Sequence, residues 1–140
     1  MLVHGTCVTL KGNAVLLRGV SGVGKSSLAL HLIDRGACLL ADDQVDLCVM
    51  GGKIIASVPP SLKGLLEVRG LGICSFSFIE KAPLALCVDL CDLASLERLP
   101  TPSFVAYDDV EVPHLKLGIG DPLNAIKLEL HMEGVCSRIL

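Results

Sequence analysis

The run Gly19-Val20-Ser21-Gly22-Val23-Gly24-Lys25-Ser26 constrains this chain more than any other. It fits G-x-x-x-x-G-K-[S/T], the pattern of a loop whose backbone N–H groups wrap around phosphate oxygens. The glycines allow backbone angles that a side chain would forbid, and a helix opening near Lys25 turns the positive end of its dipole toward the same anion. Lys25 then reaches the β- and γ-phosphates of a nucleotide, and Ser26 offers its hydroxyl to Mg²⁺. The expected phosphate-binding set runs from Gly19 through Ser27.

The flanks agree with that reading. Ala14-Val15-Leu16-Leu17 is an apolar strand entering the loop, and Leu28, Ala29, Leu32 and Ile33 make one face of the following helix apolar. Gly36 closes the helix, and Ala37-Cys38-Leu39-Leu40-Ala41 is the next apolar run, ending in Asp42-Asp43. Strand, loop, helix and strand form the unit on which such loops are carried.

Composition sets the class. At 140 residues, 51% hydrophobic and 3% aromatic, the chain reads as one α/β domain over 1–140 with an aliphatic core, strand-rich beside an ordinary nucleotide kinase. A net charge of −3 without a basic run argues against nucleic acid or an anionic membrane as partner. With no membrane-spanning stretch and no signal region, the expected location is cytoplasmic. Cys7, Cys38, Cys48, Cys74, Cys87 and Cys91 sit in apolar runs and read as core filler; the four histidines are scattered.

Thr6 to Leu10, Asn13 to Arg18 and Leu84 to Leu90 read as strands, and 45–58 reads as a hairpin turning at Gly51-Gly52. Ser61 to Leu66 reads as a short helical turn and Leu99 to Pro113 as a loop. Ala125 to Met132 alternates like a half-buried strand.

A phosphate loop needs acidic partners. Asp42-Asp43 and Asp89 each close an apolar strand, and spacing does not choose between them. Two adjacent carboxylates suit a division of labour, one near the metal and one taking a proton from an attacking hydroxyl.

His4-Gly5-Thr6, the phosphate loop, Leu40-Ala41-Asp42-Asp43-Gln44-Val45 and Leu66-Glu67-Val68-Arg69-Gly70-Leu71-Gly72-Ile73 together resemble the bacterial HPr kinase/phosphorylase family. The likeness runs from His4 to about Arg98 and is to a short form holding only the catalytic domain, of the HPr kinase/PEP carboxykinase-like fold. It implies an ATP- and Mg²⁺-dependent kinase acting on a serine of HPr or an HPr-like phosphocarrier, with phosphate-dependent dephosphorylation of the same serine. It also implies a homo-oligomer, a hexamer in the family. Residue by residue, it implies Lys25 at the phosphates, Ser26, Asp42 and Glu67 around the metal, and Asp43 as proton acceptor in the kinase direction and donor in the reverse. His4 and Arg98, the latter in Glu97-Arg98-Leu99, complete the implied catalytic set. Glu67 and Arg69, two apart on an extended segment, could instead pair with each other.

The likeness lapses in one place. Where longer members carry a Pro- and Arg-rich loop for the phosphorylase reaction, 112–122 here holds only Lys116 and no Arg, which predicts a weak reverse reaction. Two other readings stay open: a small-molecule kinase using Asp89 for its metal, which would need an Arg-rich lid, and a nucleotide-binding regulator without turnover. A GTPase is disfavoured, since no Asn-Lys-x-Asp occurs.

Overall fold

The computed structural model describes residues 1–134. A nine-stranded mixed sheet carries two helices on one face. Its centre is β3 (Asn13–Arg18), which pairs antiparallel with β2 (Thr6–Leu10) and parallel with β9 (Lys81–Cys91). Beyond β2 lies β4 (Cys38–Ala41), antiparallel to it, so the chain leaves β3, runs through α1 (Lys25–Asp34) and returns parallel to β3 with β2 between. The strand–loop–helix–strand unit is therefore present, split by one antiparallel strand.

Beside β9, β6 (Lys53–Ser57), β5 (Gln44–Met50) and β1 (Leu2–His4) continue one end of the sheet. The later half of β9 pairs instead with β11 (Val110–Gly118), which carries β10 (Ser103–Tyr107). A hairpin of β7 (Leu65–Val68) and β8 (Gly72–Ser75) stands apart as a second sheet.

Alternation along β3 explains the layering. Val15 and Leu17 point to one core with Leu28, Ala29 and Leu32 of α1 and with Ala125 and Leu128 of α2 (Asn124–Met132). Ala14 and Leu16 point to the other, with Val45, Leu47, Ile54 and Ala56 of the β5–β6 hairpin. A register shift leaves Ala85 unopposed, a bulge between Leu84 and Leu86 that keeps both halves of β9 apolar toward the right layers.

Several expectations need correction. Residues 125–132 form helix, not strand: Ala, Lys, Leu, Glu and Met are good helix formers, and buried Ala125 and Leu128 stand three apart. Asp121 reinforces the start, its Oδ1 accepting from the Leu123 N–H at 2.9 Å and its Oδ2 from Lys127 Nζ at 2.6 Å. The Leu99 to Pro113 segment is largely a hairpin rather than a loop, turning at Asp108-Asp109 with φ of 47° and 66°, the two positive angles of a tight hairpin turn. Pro113 is tolerated because the β9 ladder begins one residue later, at His114. The stretch after Val58 makes a 3-10 turn only over Pro60–Leu62 before β7 begins.

The cysteine reading holds for Cys7 and Cys87, both fully buried, and burial pushes the Cys87 thiol up to about 11. Cys38 and Cys48 are exposed, and Cys74 and Cys91 half-buried, because these strands have a solvent side. Among the described residues no helix is long and apolar enough to cross a membrane.

Candidate active site

The phosphate loop leaves β3 at Gly19 and ends at Gly24, whose φ of 101° is reached cheaply only without a Cβ. Gly24 stands at the N-cap of α1, and its carbonyl accepts the first helical bond from Leu28 N–H at 2.9 Å. No acidic residue occupies the first turn, so the positive helix end is not neutralised from within α1. Lys25 is buried, its Nζ donating to the carbonyls of Gly19 at 2.7 Å and Val20 at 2.9 Å. An ammonium has three donors, so one remains for an anion.

The Asp42-Asp43 pair forms the turn from β4 to β5, directly against α1. Asp42 is the hub: its Oδ1 accepts from Thr6 Oγ1 at 2.8 Å and Ser26 Oγ at 2.9 Å, and its Oδ2 from the Glu67 N–H at 3.1 Å. Asp43 is exposed and holds φ of 72°, a left-handed conformation rare for a residue with a side chain. Its Oδ1 lies 3.5 Å from His4 Nε2, and its carbonyl accepts from Gly5 N–H at 3.1 Å.

Glu67, at the end of β7, and Arg69, in the turn after it, form the opposite wall. A cavity of about 490 Å³ joins these parts, lined among others by His4, Lys25, Ser26, Asp43, Glu67 and Arg69. The Arg69 guanidinium reaches over the loop, 4.0 Å from where a Cβ on Gly22 would stand. Glu67 and Arg69 form no ion pair with each other; both face the cavity. A second cavity, of about 520 Å³, is lined by Lys11, Arg35 and Glu129, the last two paired at 2.8 Å, and has no phosphate loop.

Not every expected residue converges here. Arg98 is exposed in the bend beyond β9 and does not line the cavity. Lys116 is also exposed, on β11 rather than in a loop. Asp89 is engaged elsewhere. It accepts from Arg18 Nε at 2.8 Å and Nη2 at 2.9 Å, and from His114 Nε2 at 2.7 Å. Burial alone would raise its carboxyl, but the hydrogen bonds from Arg18 and His114 outweigh that and hold it below the usual range. Arg18 also donates to Tyr107 Oη at 3.0 Å, which ties β3, β9, β10 and β11 together.

Two site residues escaped sequence reasoning. Thr6 carried no signal beyond its place after His4-Gly5, and Arg69 read equally well as a partner for Glu67. A two-residue offset on an extended segment puts both side chains on one face without saying what they face.

The donor set fits a hard cation: a hydroxyl and carboxylates, all oxygen. Among the described residues no three of His, Cys, Asp and Glu gather round one point.

Comparison with known proteins gives the family of the chain. The model of the HPr serine kinase C-terminal domain matches residues 1–128. HPr kinase/phosphorylase of Cupriavidus metallidurans is 39% identical over 137 residues, covering 91% of this chain and 39% of the relative. That of Clostridium tetani is 53% identical over 70 residues, covering 50% of this chain and 23% of the relative. The chain thus spans well under half the length of these relatives. The HPr(Ser) kinase/phosphatase structure from Coxiella burnetii has the same fold, with a TM-score of 0.86 at 24% identity, over 96% of this chain and 98% of that one. With a family model matched across nearly its whole length, the chain belongs to the HPr serine kinase C-terminal domain family.

Proposed function

We propose that this chain transfers the γ-phosphoryl group of ATP to a serine of HPr or an HPr-like phosphocarrier. The observation that carries the reading is the hydrogen bond from Ser26 to Asp42 beside Lys25, with Asp43, Glu67 and Arg69 on the same cavity. The phosphate loop and the helix end hold the nucleotide's phosphates. Ser26 gives its one proton to Asp42 and so keeps both oxygen lone pairs turned outward; with Glu67 it would hold Mg²⁺. Bound there, the ion neutralises phosphate charge. Asp42, with about three of its four acceptor sites taken, works through Ser26.

Asp43 takes the proton from the serine hydroxyl as that oxygen attacks the γ-phosphorus and ADP leaves. Its exposure puts it within reach of a protein substrate, and His4 steadies its carboxylate. Lys25 and Arg69 stabilise charge on the transferring group. Arg98, outside the cavity of one chain, would act only if a neighbouring copy or the bound carrier brings it in, so its role belongs with the homo-oligomer the family implies.

The reverse reaction, in which phosphate attacks the seryl phosphate and Asp43 returns the proton, is weak on this reading, since Lys116 lies outside the cavity. Nothing favours the small-molecule-kinase alternative now that Asp89 is occupied by Arg18 and His114. The test is incubation with labelled ATP, Mg²⁺ and the HPr-like protein of the same organism. Label on the carrier's serine is expected, and label on small metabolites alone would reject the reading.

A further inference from the structure

We propose that Thr6 is a positioning residue for the metal–nucleotide, acting through Asp42; this rests on the reading of the cavity given above. Thr6 is almost fully buried, 1% exposed, and its hydroxyl donates to Asp42 Oδ1 at 2.8 Å. A buried hydroxyl needs such a partner, so the bond alone would be unremarkable. What gives it function is the other use of the same oxygen: Oδ1 also accepts the Ser26 hydroxyl, the group offered to the cation.

An aspartate carboxyl rotates in a broad two-fold well, so its hydrogen bonds rather than its rotamer fix its plane. Asp42 has three of them, from three different elements: Thr6 at the start of β2, Ser26 in α1 and the Glu67 N–H in β7. Only one of these donors is a side chain with no other duty in the cavity, and that is Thr6.

The anchor itself is well held. Thr6 is β-branched and stiff at χ1, and it stands opposite Leu17 on the strand that enters the phosphate loop. Gly5, just before it, lies so close to β3 that a Cβ there would sit 2.8 Å from the Leu17 carbonyl. The Gly5 N–H meanwhile donates to the Asp43 carbonyl at 3.1 Å. One dipeptide therefore fixes both acidic residues, the Asp43 backbone through Gly5 and the Asp42 carboxylate through Thr6. Loss of the Thr6 hydroxyl leaves the Asp42 carboxylate held by two bonds instead of three, and the Ser26 oxygen then points its lone pairs outward less steadily.

The test uses Thr6→Val, which keeps shape and removes the hydroxyl, and Thr6→Ser, which restores it. The probe is Mn²⁺ with a non-hydrolysable ATP analogue, with bound metal counted by electron paramagnetic resonance and analogue binding in EDTA measured by calorimetry. Thr6→Val should weaken Mn²⁺ binding in the ternary complex about 10-fold, the usual scale for removing an outer hydrogen bond to a metal ligand. Metal-free analogue binding should stay within about 2-fold, and Thr6→Ser should recover the Mn²⁺ affinity.

Unchanged Mn²⁺ affinity in Thr6→Val overturns the proposal. So does an equal loss of metal-free binding, or a Thr6→Ser protein that behaves like Thr6→Val, since either would mean that Thr6 matters only to the fold. Should Thr6→Val not fold, Thr6→Cys carries the same comparison with a weak donor of similar size. Because no carrier protein is present, the two readings separate. A wild type that binds Mn²⁺ and analogue but never phosphorylates the carrier defeats only the kinase reading, and one that binds no metal–nucleotide defeats both.

Discussion

Asp43 lies in the turn after β4 and Asp89 within β9, and exchanging each for asparagine should damage different properties. Asp89 accepts two bonds from Arg18 and one from His114 with its side chain 32% exposed. Asparagine retains one acceptor oxygen and turns an NH₂ toward a donor, so the bidentate pair and the His114 bond cannot all survive. Hydrogen bonds to charged groups contribute about 1.5–3 kcal/mol, and partial exposure places the loss near 2 kcal/mol. In a domain of this size that lowers Tm by about 6–8 °C. Phosphoryl transfer by the folded protein should fall only a few-fold.

Asp43→Asn should do the reverse: Tm within about 1 °C of wild type, Mg·ATP still bound, and transfer down at least about 100-fold, the usual size of a general-base contribution. Calorimetric melting and single-turnover transfer, run on both variants, read the two effects separately. The acid limb adds a check of sign. The Asp89 carboxyl is held below its usual range in the folded protein, so its stabilisation is present above the unfolded value, about 4, and is lost as pH falls through the folded value. The Tm gap between wild type and Asp89→Asn should therefore be widest near neutrality and close in acid. An Asp89→Asn protein with unchanged Tm that no longer binds Mg·ATP would refute the reasoning and make Asp89 the metal carboxylate.

Three further outcomes follow from the geometry. Lys25→Ala should abolish transfer and sharply weaken ATP binding in a folded protein, because Lys25 is the cation held within the loop; titration calorimetry with circular dichroism checks both halves. Arg69→Lys should keep the charge but lose the planar fork, lowering transfer at least about 10-fold with little change in Tm, whereas a merely solvated Arg69 would leave kinetics untouched. Asp43→Gly should be about 0.5–1 kcal/mol more stable to unfolding than Asp43→Ala, since glycine adopts φ of 72° without strain, and equal stability of the two in denaturant titration would contradict the left-handed turn.

The phosphate loop was legible in the sequence because its chemistry is local: glycines, lysine and serine in fixed order between a strand and a helix. The hairpin turning at Gly51-Gly52 was legible for the same reason. The misread segments are those where tertiary packing decides. In 125–132 the letters alternate like a strand, and helix-forming side chains together with burial of Ala125 and Leu128 under the sheet select the helix. The hairpin at Asp108-Asp109 lacks the glycine that usually announces such a turn. In the site, adjacency marked Asp42 and Asp43 as a pair, but their division of labour rests on which one meets Ser26, a contact made across the fold. The same holds for Asp89, whose sequence context imitates a metal carboxylate until Arg18 and His114 are seen on it.

A serine-directed phosphoryl transfer in this cavity, with Asp43 taking the proton, is open to a single-turnover test. Wild type and Asp43→Asn are each mixed with Mg·ATP and the HPr-like carrier in a single turnover, and the carrier is mapped for phosphoserine by mass spectrometry. Wild type should form one phosphoserine, and the variant should form it at least about 100-fold more slowly at equal ATP binding. Phosphoserine formed equally fast by both proteins, or none formed by a wild type saturated with Mg·ATP, would contradict this reading.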